Sequence, residues 1–152
     1  MSDIIDLTLV ELVDKIKKKE ISSKEVTAAY VDRSQKSKKL NTYVTEDFEI
    51  ALKKADNFDK NPNYEKKLPG IPIAVKDLFC TKDVKTTAGS KILHNFIPTY
   101  ESTVTNNLWS EGPFLLGKLN CDELSCCFER LSKMFGASRR LLKKTSRCLK
   151  KL

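Results

Sequence analysis

Near the middle of the chain the sequence reads Gly70-Ile71-Pro72-Ile73-Ala74-Val75-Lys76-Asp77-Leu78-Phe79. The branched apolar residues in this run are typical of a buried β-strand. A strand that is apolar on both faces usually lies in a parallel sheet covered by helices, which predicts an α/β fold. Functional groups in such sheets lie at the carboxyl ends of the strands. Lys76 therefore stands where a functional lysine is expected, although a solvated lysine in a turn shows the same local pattern.

The rest of the sequence supports an alternation of helices and strands. Two capping boxes, in which Thr8 or Ser22 precedes a glutamate by three residues, predict the starts of two helices. Residues 43–45 are predicted to be a short extended piece, and residues 86–90 a loop that faces a ligand beside the end of the Lys76 strand. The remaining predicted elements are a helix with Phe48, Ala51, Leu52, Ala55 and Phe58 on one side, a helix from Ser102 to before Gly112, and a second buried strand at residues 114–117, parallel to the first.

Several phrases along the chain resemble, in the same order, those of the amidase signature family. They lie at residues 7–12, 41–44, 68–77, 86–93 and 115–123. The likeness is greatest to the branch of the family that works in tRNA-dependent amidotransferases. It implies an α/β fold in which a mixed sheet is covered by helices. Residues 1–124 would then be an incomplete, N-terminal part of an amidase domain.

By this resemblance Lys76 is the catalytic lysine of a Ser-Ser-Lys arrangement. In the family one serine attacks an amide carbonyl, a second serine relays the proton, and the lysine is the terminal base. A lysine is a base only in its neutral form, so burial or nearby positive charge has to lower its pKa. The apolar residues 71–75 are expected to supply that desolvation. No substrate-binding residue is predicted.

The two serines of that arrangement are not found in the sequence. The family carries them in glycine-rich segments after the Asn-x-Asp-Glu phrase, whereas this chain continues after Glu123 with Leu124-Ser125-Cys126-Cys127-Phe128. Gly136 is the only glycine beyond that point, so no backbone oxyanion hole is visible. We therefore predict that the chain as written is catalytically incompetent, and whether it acts as an enzyme is left open.

The net charge of +8 arises entirely in the last part of the chain. Residues 1–124 hold 19 basic and 19 acidic side chains, whereas residues 125–152 hold nine basic side chains and only Glu129 as an acid. Three of the five cysteines also lie there, which favours a shifted reading frame or an early stop near residue 124. The alternative is a genuine basic tail that forms a helix and binds RNA phosphates or a membrane surface, since apolar residues recur every seven positions at Phe128, Phe135, Leu142 and Leu149.

The resemblance also implies a function and partners. Proteins of the amidotransferase branch hydrolyse glutamine and pass ammonia to the other subunits of a heterotrimer. There Glu-tRNA(Gln) is converted to Gln-tRNA(Gln) for translation. ATP and Mg2+ are expected at a partner subunit, contact with tRNA is expected to be indirect, and no cofactor is expected in this chain. The alternatives are a stand-alone amidase that acts on another small amide, and a non-catalytic pseudogene product or basic-tail binding protein.

Other features of the sequence predict a cytoplasmic protein without a metal site. The cysteines lack paired C-x-x-C spacing, and His94 is the only histidine. No apolar run has membrane-spanning length, no membrane partner is expected from it, and the acidic start of the chain does not resemble a signal peptide. Asp122 and Glu123 are interpreted as capping or hydrogen-bonding groups.

Overall fold

The structure, a computed structural model, describes residues 4–121. This part of the chain contains two short 3-10 turns, at Ile4–Asp6 and Lys38–Leu40, together with helices and strands that alternate as expected for an α/β fold. The helices are α1 (Leu9–Lys17), α2 (Ser23–Lys36), α3 (Phe48–Lys60) and α4 (Thr103–Ser110). The strands are β1 (Tyr43–Glu46), β2 (Pro72–Lys76) and β3 (Phe114–Leu119).

Both predicted capping boxes are present at the helix starts. Before α2, the Ser22 side chain accepts from the backbone N–H of Glu25 at 3.1 Å, and the Glu25 carboxylate accepts from the backbone N–H of Ser22 at 2.8 Å. Thr8 and Glu11 make the same pair of bonds before α1. These bonds favour the ionised carboxylates and lower the pKa of both glutamates. The predicted start of α4 is also confirmed, because the Ser102 side chain caps it.

The three strands form one mixed sheet in the order β1-β3-β2. β2 and β3 are parallel, as predicted, with Val75 opposite Lys118. The extended piece predicted at residues 43–45 is a full partner strand, since β1 pairs antiparallel with β3 and places Glu46 opposite Gly117. The central strand of the described sheet is therefore β3.

The prediction that the Lys76 strand is buried on both faces is wrong for the described part of the chain. Within β2 only Val75 is buried, and the strand lies at the edge of the described sheet. The buried strand is β3, in which every residue from Phe114 to Lys118 is buried. The apolar sequences of the two strands are alike, and only the order of the sheet separates an edge strand from a central one. An edge also suits Pro72, which has no N–H to donate.

Two apolar clusters hold the helices and the sheet together. In the first, α2 and α3 pack against the central strand β3, and its buried members are Val31, Phe48, Ala51, Ala55, Phe114 and Leu116. In the second, α1 and α2 pack against the segment that leads into β2, and its buried members are Leu12, Ile16, Val26 and Ile71. The helices thus fix the position of β2 and β3, whose carboxyl ends carry the polar residues considered next.

Some predictions lie outside the described residues, namely those for Asp122, Glu123 and the basic segment 125–152. Within residues 4–121 no helix is long and apolar enough to cross a membrane.

Candidate active-site edge

Lys76 is the last residue of β2 and stands at the carboxyl end of the sheet, as the sequence predicts. Its side chain is exposed, so the desolvation expected from residues 71–75 is not found in the described part of the chain. The reason is the edge position of β2, since only Val75 among its residues is shielded from water. The catalytic role that the family resemblance gives to Lys76 stays a prediction.

The next residue, Asp77, is completely buried. Its backbone N–H donates to Leu119 O at 2.9 Å and so extends the parallel ladder past Lys76. Its carboxylate accepts from the backbone N–H of Thr87 at 3.1 Å and from the Thr87 hydroxyl, and its carbonyl accepts from the N–H of Ala88 at 2.9 Å. A buried carboxylate needs such donors to replace the water that it loses. The hydrogen bonds of Asp77 therefore hold Thr87 and Ala88 at the end of β2.

The loop of residues 86–90 lies beside the strand end, as predicted, but it does not face outward. All five of its residues are buried, and the backbone turns there through two left-handed positions, Ala88 with φ of 49° and Gly89 with φ of 69°. The prediction that this loop faces a ligand stays a prediction. The loop forms packed support for the edge that carries Lys76.

A second lysine, Lys118, is fully buried in β3 with an exposed fraction of 0%. Its ammonium donates to the carbonyl of Phe79, to Thr81 Oγ1 at 2.9 Å and to Thr86 Oγ1 at 3.1 Å. Burial lowers the pKa of Lys118, and the negative charge of Asp77 is the largest influence that opposes this shift. Sequence reasoning did not single out Lys118, because Gly117-Lys118-Leu119 has the local pattern of a solvated strand end.

The local sequence argues against burial of Lys118. It directly follows the predicted strand at residues 114–117, and a lysine is almost never fully buried unless it is paired. The threonines that surround it lie more than 30 positions earlier in the sequence, at Thr81 and Thr86. Pairing such distant residues requires the fold.

Among residues 4–121 no group of three or more histidine, cysteine or acidic side chains is placed to hold a metal ion. The polar groups described at this edge of the sheet include two lysines, threonine hydroxyls and the carboxylate of Asp77. They hold the backbone in place, and an amine is a residue type that can serve as a general base for a nucleophile supplied from elsewhere.

Comparison with known proteins identifies the class to which this α/β fold and its strand-end lysine belong. The sequence matches the Amidase family over residues 25–146, and the chain belongs to that family. The match continues past Glu123, the last residue of the resembling phrases, into the segment beyond residue 124. The division of the chain at that residue stays a prediction.

The relatives give a narrower likeness. The chain is 66% identical over 136 residues to the A subunit of glutamyl-tRNA(Gln) amidotransferase from Pelagibacter ubique, a match that covers 90% of this chain. It is 44% identical over 138 residues to the protein of the same name from Rickettsia bellii. Among solved structures it is similar to an amidase family protein from Bacillus anthracis, with a TM-score of 0.71, 31% identity, and coverage of 79% of this chain and 25% of that one. The chain spans 28% of the length of the two curated relatives.

Proposed function

We propose that this chain corresponds to the N-terminal part of the glutamine-hydrolysing subunit of a tRNA-dependent amidotransferase. The observation that carries the proposal is the 66% identity to the Pelagibacter ubique amidotransferase protein over 90% of this chain. In this proposal the complete subunit releases ammonia from glutamine and delivers it to partner subunits, which use ATP and Mg2+ to convert Glu-tRNA(Gln) to Gln-tRNA(Gln). This chain itself would hold neither the nucleotide nor the metal.

In the proposed role Lys76 is the terminal base of the Ser-Ser-Lys arrangement. Its place at the carboxyl end of β2, beside the buried Asp77, supports this assignment. The Lys76 side chain is exposed in the described residues, so the desolvation needed for a neutral lysine would come from parts of an amidase domain outside residues 4–121. We propose further that the 152-residue chain alone does not hydrolyse glutamine, because its sequence lacks a serine in a glycine-rich segment.

A split-enzyme experiment tests both parts of the proposal. The purified chain is assayed for ammonia release from glutamine alone, with the other subunits of the Pelagibacter ubique enzyme, and with the part of its Pelagibacter ubique relative that the chain does not match. We expect no ammonia from the chain alone. In the third mixture, which supplies the missing serines, we expect ammonia release that is lost with Lys76→Ala.

The matched control is Lys85→Ala, because Lys85 is an exposed lysine nine positions away in the loop after β2. This variant should support the same rate as the unchanged chain. Ammonia release by the chain alone that disappears with Lys76→Ala would refute its incompetence. Restored activity that is equal in the Lys76→Ala and unchanged chains would refute the role of Lys76.

The alternative of a stand-alone amidase is tested in the same mixture. An amidase that serves another small amide would hydrolyse that amide faster than glutamine and would not respond to the other amidotransferase subunits. The alternative of a decayed gene is tested by translating the DNA after codon 124 in the other two frames. A Gly-Ser-Ser phrase in either frame would support the shifted reading frame, and its absence would favour a genuine basic tail.

A further inference from the structure

The hydrogen-bond partners of the buried lysine in β3 bear on whether its side chain is charged. Lys118 Nζ contacts three oxygens, the carbonyl of Phe79 and the hydroxyls of Thr81 and Thr86. Each hydroxyl also lies within reach of a backbone carbonyl to which it can donate its one hydrogen: Thr81 Oγ1 is 3.3 Å from Phe79 O, and Thr86 Oγ1 is 3.1 Å from Val84 O. With the hydroxyl hydrogens directed to those carbonyls, all three oxygens offer lone pairs to Lys118.

An ammonium group has three N–H donors, and a neutral amine has two. Three oxygen acceptors match the three donors of the ammonium. The surroundings of Lys118 therefore suit a cation inside the protein, although its exposed fraction is 0%. A buried charge is costly unless it is fully hydrogen-bonded. The three oxygens therefore have to offset that cost for a lysine ammonium to lie inside β3.

The two threonines at positions 86 and 87 connect this cation to the opposite charge on the neighbouring strand. The Thr86 hydroxyl accepts from Lys118 on β3, and the Thr87 hydroxyl and N–H donate to Asp77 at the end of β2. No ion pair joins Lys118 and Asp77 directly in the described residues. Two adjacent loop residues therefore bridge two buried charges, and the bridge starts from the residue that follows Lys76.

We propose that Lys118 is a positioning residue whose buried ammonium holds residues 79–86 over the end of the sheet and so fixes the backbone around Asp77 and Lys76. Its importance for catalysis rests on the proposed function. The binding of the ammonium by Phe79, Thr81 and Thr86 does not, because it follows from contacts within this chain alone.

The charge state is tested by nitrogen-15 NMR of lysine ammonium groups in the 152-residue chain. Exposed ammonium protons exchange with water too fast to be seen near neutral pH, whereas a buried and fully bonded ammonium keeps its protons. We expect one protected ammonium signal that is lost in Lys118→Met and kept in Lys85→Met. A spectrum without such a signal, or a signal that survives in Lys118→Met, overturns the proposal.

The positioning effect is tested by amide hydrogen exchange. Lys118→Met removes the donors, and the milder Thr86→Val removes one acceptor with little change of shape. In both variants we expect exchange about tenfold faster or more at Thr86, Thr87 and Ala88, with the amides of α2 unchanged. If Lys118→Met does not fold, the exchange rates in Thr86→Val alone test the positioning effect. Unchanged exchange at these three amides, or equal acceleration in α2, overturns the proposal.

The catalytic consequence is tested in the split enzyme with the Lys118→Met chain. We expect kcat to fall while KM for glutamine changes little, because the proposed defect lies in the placement of Lys76 and not in substrate binding. If the unchanged chain also gives no ammonia, the proposed function fails while the NMR and exchange results still judge the role of Lys118. If the unchanged chain is active and Lys118→Met keeps its kcat, the importance of Lys118 for catalysis is refuted.

Discussion

Lys76 and Lys118 lie on neighbouring strands one register position apart, yet water surrounds one and protein the other. Lys76 pairs with Leu119 and is exposed at the edge of the described sheet, whereas Lys118 pairs with Val75 and is enclosed. Each follows an apolar run, so their local sequences do not separate them. The difference comes from the sheet order, which makes β3 central and lets the loop after β2 cover it.

The buried lysine predicts a specific dependence of stability on pH. Burial lowers the pKa of Lys118 in the folded chain below its ordinary value of 10.5, so the unfolded chain binds more protons between those two values. The free energy of unfolding should therefore rise with pH in that window, relative to the Lys118→Met variant. Urea unfolding of both proteins from pH 7 to 10.5 measures the difference. Partly buried tyrosines have the opposite effect, as for Tyr43, whose pKa is raised by burial. Comparison with the variant cancels this effect. A difference that shrinks with rising pH would contradict the prediction.

The helices illustrate which elements a sequence can predict. A capping box is contained within four residues, so Thr8 with Glu11 and Ser22 with Glu25 could be recognised from the sequence and are present in the fold. The order β1-β3-β2 depends on residues that are far apart in the chain, as in the pairing of Tyr43 with Leu119. The same holds for the candidate site. The position of Lys76 at the end of a strand could be predicted from the surrounding sequence, whereas the exposure of its side chain depends on the order of the strands and could not.

At the start of α2 we expect Ser22→Ala to lower the free energy of unfolding by about 1 kcal/mol, because one backbone N–H loses its acceptor. Ser37→Ala is the matched control, since Ser37 precedes a short 3-10 turn without a side-chain cap bond and should change stability little. Thermal unfolding followed by circular dichroism measures both.

The acid range gives a second measure of the same cap. Hydrogen bonds from Ser22 lower the pKa of Glu25 below 4.5, so the stability it contributes is present above pH 4.5 and is lost as the pH falls through the lowered value. This acid-dependent loss should be smaller in Ser22→Ala than in the unchanged chain. The backbone N–H of residue 22 still donates to Glu25 in the variant, so only part of the loss should disappear. An equal loss in the two proteins would show that the Ser22 hydroxyl does not contribute through Glu25.

The contact between β1 and β3 depends on Gly117. A Cβ at this position would lie 2.7 Å from Thr45 O and 2.8 Å from Tyr43 Cδ1, which is closer than real contacts allow. We expect Gly117→Ala to destabilise the fold by about 1–3 kcal/mol, since backbone has to move. Ile92→Ala, at a position that is 92% exposed, should change stability by less than about 0.5 kcal/mol. Equal unfolding midpoints for the two variants would contradict this account.

The whole molecule leaves much apolar surface and sheet edge open within residues 4–121. Ile92, Ile97 and Tyr100 are exposed in the segment between β2 and α4, and β1 and β2 each have one edge without a partner strand in the described sheet. Such edges and apolar patches favour association with other chains.

We therefore expect the purified chain to self-associate and to be only marginally stable to heat. Light scattering at increasing concentration measures the association, and calorimetry measures the transition. The double variant Ile92→Glu with Ile97→Glu should reduce the association, whereas Lys85→Glu, in the same loop, should not. A chain that stays monomeric and unfolds only at high temperature would contradict this expectation.

The central place of β3 also sets an order of events during synthesis. β1 and β2 are made first, but in the described sheet neither pairs with the other, and both pair with β3. α1, α2 and α3 can pack together as the chain leaves the ribosome, because all three end by Lys60 and their contacts are local. The sheet has to wait until Phe114–Leu119 has emerged. A nascent chain that stalls before that strand carries two unpaired strands and is the form most exposed to chaperones and proteases.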